Sequence, residues 1–475
     1  MHMGETPSMI SNFCFRNAMA IDADQDADAF WEELEGSIRK SRYITINGCM
    51  KDYGHAQIVM RFIDKYKAFI DYFHTDMKAV YGRTYIRLKE VLGEDTPHTY
   101  TQLADAYTTE YYLNDCGGYD IFAQSGGKEI ELRLQDVFNL IHPNPGEHIL
   151  DVGCGRGELT YALSQRGAYV TGIDYSGAAI EIARKTYGED NEYLRYVCGD
   201  IFEYEEMQRF DKIVMADVVE HIDQEILEKI FEKISRSMSG DGVLVAHTAP
   251  NNDYYTHTWP LMRENAAKLG FYLPKNPRSY YEQMMHINEQ SPERLKEALE
   301  KYFPYVHVWT GSITEINSEK SKEETYRDNQ IFAYACKKED ALRKVIGEID
   351  QKPDYNRCRV EIKAEDCTWD ENEMEIPVIV INKGPEYLTS RRKWPVNAAY
   401  HIYDENNELL VYDGERTVIN RVIRENEREE IMMKVKIPER LAGHTSLRLC
   451  ITLVAEGAFW FDCNGNNCKF ITLKR

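Results

Sequence analysis

Glycines at alternate positions and acids at the ends of apolar runs mark residues 148–221 as the stretch of this chain that could do chemistry. In "HILDVGCGRG" the apolar lead-in Ile149, Leu150 and Val152 reads as a buried strand. Asp151 lies within it, and Gly153, Gly155 and Gly157 then make a turn too tight for side chains, where a backbone can approach a ligand. Cys154 reads as a small filler in that turn. A second apolar run, "AYVTGID", ends at Asp174. Further on, "DVVEHI" sets Asp217, Glu220 and His221 at i, i+3 and i+4, one face if a helix starts there. His286, in "MMHINEQSPERL", follows a long insertion and is placed to swing over the same site. Two carboxylates and two imidazoles suit Mg²⁺ or Mn²⁺, with positions left for water and a substrate diol. Two alternatives stand beside that set: His221 or His286 as a metal-free general base, and plain structural hydrogen bonding. His247 and His257, lone histidines near strand ends, read as core or lid residues.

Such residues need a rigid frame. Strand patterns at 148–152, 169–173, 193–198, 211–216, 242–247, 305–309 and 330–336 alternate with helical ones, the pattern of a doubly wound α/β sheet of seven strands. "DQEILEKIFEKISRSM" and "SPERLKEALEKYF" are two of the helices, the second with a serine start. The stretch 249–290 exceeds an ordinary βα connection and reads as a lid or substrate wall. Upstream, Val59, Phe62, Ile63, Tyr66, Phe69, Ile70, Phe73 and Met77 recur at spacings of three and four, which predicts one long amphipathic helix packed on a neighbouring domain or a second subunit. The tyrosine-rich run 107–122 either closes over the pocket or packs a core. From about 355, short β-rich runs punctuated by turn residues predict a β-sandwich. The domain plan is a helical region at 1–118, a core at 119–340 with its lid at 249–290, a linker at 341–354, and the sandwich at 355–475.

The glycine turn discriminates between cofactors. A dinucleotide turn, GxGxxG, would have its third glycine where Glu158 stands. DxGxGxG from Asp151 to Gly157, the acid ending the second strand, "CGD" after the third and "FDKIVMADVVEHI" at the fourth together resemble the class I methyltransferases that use S-adenosylmethionine. The resemblance covers roughly 119–340 and implies a Rossmann-like core. It implies that Asp151, Gly153, Gly155 and Gly157 receive the methionine part of the donor and that Asp174, followed by Tyr175, accepts from both ribose hydroxyls. Asp200 would accept from the adenine amino group with Ile201 against the ring, and Asp217 would close the site. The "EH" segment with His286 is similar to two metal-assisted O-methyltransferase groups, acting on catechol-like quinone precursors and on the 3′-terminal ribose of small RNAs. Asp217 stands where those carry glutamate.

Composition limits the acceptor. Among 475 residues, 57 Lys and Arg face 79 Asp and Glu, a net charge of −22 that opposes nucleic-acid binding through phosphate neutralisation. Eleven cysteines without a CxxC pair suggest reduced thiols, and no stretch approaches the roughly 20 apolar residues of a membrane span. A soluble, cytoplasmic protein is expected. The last 120 or so residues, through "AAYHIYDENNELLVYDGERT" and "LVAEGAFWF", resemble a β-sandwich module on enzymes and transporters of bacterial surface polysaccharides. That resemblance offers Tyr400, His401, Tyr403, Arg416 and Trp460 to a carbohydrate, or the sandwich edges to a homodimer. The leading expectation is an O-methyltransferase acting on a sugar hydroxyl of a glycan or glycan precursor. A small phenol or quinone precursor, RNA ribose, and a non-catalytic glycan-binding protein with the same fold are the alternatives.

Overall fold

A computed structural model describes residues 19–22, 26–47, 53–78, 81–93, 103–205, 209–369, 371–464 and 467–475. Its centre is a seven-stranded sheet: β5 (His148–Val152), β6 (Tyr169–Asp174), β7 (Leu194–Cys198), β8 (Phe210–Ala216), β9 (Met238–Thr248), β10 (Tyr305–Thr310) and β11 (Ile331–Cys336), in spatial order β10-β11-β9-β8-β5-β6-β7. β5 to β9 pair in parallel, and β10 and β11 close one edge antiparallel. The parallel strands are apolar on both faces because helices cover both. After β7 the chain returns to the other side of β5 to lay down β8, so a crevice opens at the carboxyl ends of β5 and β8, where open α/β sheets bind ligands.

The N-terminal region is not the helical segment its spacing predicts. The helix stops at Lys65, and Phe69, Ile70, Phe73 and Met77 fall in a turn and then in β3 (Ile70–Lys78), paired with β4 (Tyr81–Leu88). Threonine and aromatics crowd that stretch, and a hairpin partner supplies the backbone bonds a helix would have made. With β1 (Met19–Asp22) and β2 (Tyr43–Asn47) these strands form a sheet of order β1-β2-β4-β3, and helices Ala27–Ile38 and Tyr53–Lys65 bury Phe30, Trp31, Leu34 and Phe62 with Ile44, Ile46 and Ile86.

The insertion at 249–290 is largely helical, with helices Trp259–Lys268 and Tyr280–Met285. It is tied to the N-terminal sheet unit: Arg263 donates to both oxygens of Asp28 at 2.9 and 3.0 Å, Tyr272 packs on Trp31, and Tyr280 packs on Phe69.

In the stretch expected as a linker, 341–354, helix Glu339–Asp350 takes up residues 341–350 and buries Val345 and Ile349 in the central domain. Beyond it, a three-stranded sheet (360–363, 373–382 and 428–436) and a six-stranded one, which includes Val396–Tyr403 and Ser446–Ala455, contribute to one apolar core. This C-terminal unit is bolted to the central domain by polar side chains. Arg391 forms a two-pronged ion pair with buried Asp136 at 2.8 and 2.7 Å, Arg424 does the same with Glu348, and Asn139 bonds the backbone at Asn420 and Val422. No helix among the described residues is long and apolar enough to cross a membrane.

Candidate active site

The crevice above β5, β6 and β8 opens into a cavity of ≈510 Å³. Its floor is the glycine turn. Gly153 and Gly155 line it, and a Cβ on Gly155 would find only Tyr112, at 3.8 Å, so this position is open to a ligand. Gly157 does not line it. With φ of +83° and a Cβ position 2.7 Å from the Tyr196 hydroxyl, Gly157 lets the turn settle onto helix Gly177–Tyr187 and strand β7. Its role is packing, although Arg156 and Glu158 on either side of it line the cavity.

Asp174 and Asp151 stand at the ends of their strands, both buried and both on the cavity wall. Asp174 accepts from the Gly155 amide at 2.9 Å and the Ser176 amide at 2.8 Å, one on each oxygen. Each oxygen keeps a lone pair for a hydroxyl. Burial pushes its pKa up to about 6. Asp151 accepts from Thr160 Oγ1 at 2.6 Å, and burial pushes it up to about 7. Tyr175 and Ile201 also face the cavity. Asp200 is outside the lining, and its Oδ1 accepts from the Phe202 amide at 2.8 Å.

Asp217 lines the cavity but is not part of the metal set. Its Oδ2 accepts from Arg133 Nε at 2.6 Å and its Oδ1 is 2.5 Å from His247 Nδ1. Burial opposes ionisation, yet Arg133 and His247 hold the carboxyl far below the usual range. The predicted helical face does not form, because Asp217 has φ of +56° and Val219–His221 is a single tight turn. Strain of this kind at a non-glycine residue persists only where the surroundings enforce it, and the contacts of Asp217 with Arg133 and His247 do so here.

Glu220, His221 and His286 do converge: a ligand atom of each lies within 4.8 Å of the others. His221 Nδ1 is 3.1 Å from the Met285 carbonyl, which places the hydrogen there and leaves Nε2 as the open nitrogen, 3.9 Å from Glu220 Oε1. Glu220 Oε2 accepts from Thr248 at 2.6 Å. Burial and the charge of Asp217 push Glu220 up to about 7, while burial and neighbouring His286 push His221 down to about 3. His286 Nδ1 is buried without a hydrogen-bond partner among the described residues, 3.7 Å from Glu289. Despite burial, Glu289, Glu220 and Glu282 raise its pKa. One carboxylate and two imidazoles, one of them with an orphaned ring nitrogen, fit a divalent cation.

The opposite wall is aromatic. Tyr107, Tyr111, Tyr112, Tyr175 and Tyr281 line the cavity, with ring centroids 5.2 Å apart for Tyr107 and Tyr111 and 5.0 Å for Tyr111 and Tyr281. Burial raises the hydroxyls of Tyr107, Tyr111 and Tyr112 well above their ordinary pKa, so they stay neutral and offer no base. The 249–290 insertion adds Ser279, Tyr281, Glu282, Met285 and His286.

Sequence reasoning passed over Arg133 and Arg156 and read His247 only as a core or lid residue. Arg156 had a visible signal, a long cation between two glycines of the turn; Arg133 had none, since its partner Asp217 is 84 residues away.

Residues 149–242 match a family model described as a methyltransferase domain. The chain is 41% identical over 78 residues to a ubiquinone biosynthesis O-methyltransferase of Coxiella burnetii (strain Dugway 5J108-111), covering 16% of this chain and 33% of the relative. It is 34% identical over 106 residues to the mitochondrial ubiquinone biosynthesis O-methyltransferase of Schizosaccharomyces pombe, covering 21% and 39%. The chain thus spans well under half the length of these relatives. Among solved structures, the magnesium protoporphyrin IX methyltransferase of Synechocystis with bound S-adenosylhomocysteine is 17% identical, with a TM-score of 0.33 over 48% of this chain and 97% of that one. Outside the matched residues, two of the four aromatic rings offered to a carbohydrate turn inward. Tyr400 and His401 are buried, Gly414 sits against the Tyr400 ring, and Arg416 lies over Trp460 while bonded to Asp413 and Glu456. Tyr412 is 54% exposed.

Proposed function

We propose that this chain transfers the methyl group of S-adenosylmethionine to a hydroxyl of a small phenol or catechol-like acceptor held between the tyrosine wall and Glu220, His221 and His286. The observation that carries the reading is the convergence of those three donor groups on the cavity that also holds Asp174 and the glycine turn. A sulfonium methyl is already activated, so the protein's task is alignment in line with the acceptor oxygen and exclusion of water. In this reading Asp174 takes the ribose hydroxyls, Gly153 and Gly155 admit the methionyl part, and Tyr107, Tyr111 and Tyr281 offer a continuous aromatic surface to an apolar ring. A hydroxyl acceptor must also lose its proton. Glu220, His221 Nε2 and His286 would hold a divalent cation, whose chemistry when bound is to acidify the coordinated hydroxyl. In a metal-free alternative, His221 Nε2, its ring fixed through Nδ1 by Met285, takes that proton itself. The names of the curated relatives support the quinone-precursor class over the others.

Calorimetry with S-adenosylmethionine and turnover of a simple catechol test this. Activity should depend on Mg²⁺ or Mn²⁺, vanish in EDTA, and fall at least about a hundredfold in Glu220→Ala while donor binding is kept. Full activity in EDTA selects the metal-free base, and failure to bind the donor overturns the reading. A sugar hydroxyl is the second reading, favoured by exposed Tyr412 beside Trp460 and Arg416 and by a hollow of ≈390 Å³ bordering the latter two. A glycan array on the full chain separates the two acceptor classes.

A further inference from the structure

Arg156 stands in the donor turn between Gly155 and Gly157, yet its side chain leaves the turn altogether and is 97% buried against the tyrosine segment, with 3% of its surface exposed. All five of its N–H groups are occupied. Nη1 donates to the carbonyls of Tyr112 at 2.8 Å and Cys116 at 3.3 Å, Nη2 to the Gly117 carbonyl at 2.8 Å and to Glu158 at 2.7 Å, and Nε to Glu158 at 2.9 Å. The guanidinium also lies over the Phe122 ring at 5.0 Å. A second tie joins the same segment to the other donor station. The Ser176 hydroxyl donates to the Tyr107 carbonyl at 2.9 Å, while the Ser176 amide donates to Asp174. The backbone of 107–117 is therefore hung at both ends from groups that neighbour the donor's expected contacts, Gly155 and Asp174. Its side chains, Tyr107, Tyr111 and Tyr112, face the space left for the acceptor.

We propose that Arg156 is a positioning residue that conveys donor occupancy to the acceptor wall: a filled donor turn fixes Arg156, Arg156 fixes residues 107–117, and the acceptor site is complete only then. This rests on the donor reading above. It makes binding ordered, donor before acceptor, and makes release of the demethylated product depend on loosening the same carbonyl contacts. Lysine cannot reproduce the arrangement, since a single ammonium cannot span carbonyls on 112, 116 and 117.

The test uses the full chain and S-adenosylhomocysteine as probe, with amide hydrogen exchange of residues 107–117 measured free and bound. In the wild-type chain the probe should slow exchange there by about tenfold or more. In Arg156→Met the probe should still bind, with Kd within about fivefold, but the added protection at 107–117 should vanish; Arg156→Lys should recover little of it. Ser176→Ala should weaken protection at Tyr107 alone, and it carries the test with Arg156→Lys if Arg156→Met does not fold. A bound wild-type chain without added protection, or Arg156 variants with wild-type protection, overturns the proposal while leaving the donor reading intact. Absence of probe binding to the wild-type chain overturns the donor reading first.

Discussion

Asp174 sits where burial and ligand chemistry oppose each other. With its pKa raised by burial to about 6, the empty protein holds its proton more tightly than the unfolded chain does. The stability this adds is complete below about pH 4 and is lost as pH rises through about 6. Donor binding in the proposed reading needs the ionised form, so affinity for S-adenosylmethionine should fall by about tenfold per pH unit below about 6, read by calorimetry between pH 5 and 8. Asp174→Asn should bind weakly across that range and lose the dependence. The glycines separate in a similar way. Gly155→Ala places a methyl in the cavity and should cost donor affinity with only about 1 kcal/mol of stability for its positive φ. Gly157→Ala drives a Cβ into Tyr196 and Ala183 and should lower the urea midpoint by the equivalent of about 2–3 kcal/mol. Equal donor affinity in Gly155→Ala and wild type would contradict the assignment of that position to the ligand.

At the scale of elements, the central strands were legible because most are apolar runs, and five of the seven (β5 to β8 and β10) end at glycine or aspartate. The N-terminal hairpin was not legible. Apolar residues three and four apart satisfied a helical template through Met77, and only pairing with β4 decides between helix and strand for such a run. The turn at 217–221 failed for a related reason: spacing alone assumed a helix, while the ion pairs of Asp217 with Arg133 and His247 hold a left-handed residue in place. Glu220, His221 and His286 still meet, because helix Tyr280–Met285, opened by the reciprocal cap of Ser279 and Glu282, delivers His286 from the insertion.

Over the whole molecule, the insertion leans on the N-terminal unit and the C-terminal unit is locked to the back of the central domain. Asp136 is buried at that junction and depends on Arg391. Arg391→Met should leave an unpaired buried carboxylate at a cost of about 3–5 kcal/mol and divide thermal unfolding into two transitions, detectable by scanning calorimetry. A single transition at the wild-type temperature would show the units to be independent of this pair.

By itself the sequence determined the glycine turn, the acids at the strand ends, the order of the central elements and the residue types of the candidate site, because these follow from local periodicity and side-chain chemistry. Only the tertiary structure decided which acids remain open to a ligand. Asp174 lines the cavity, Asp200 falls outside its lining, and both oxygens of Asp217 are engaged by residues 84 and 30 positions distant. Long-range charge pairing and burial set those outcomes, and neither is written in the spacing of neighbouring residues.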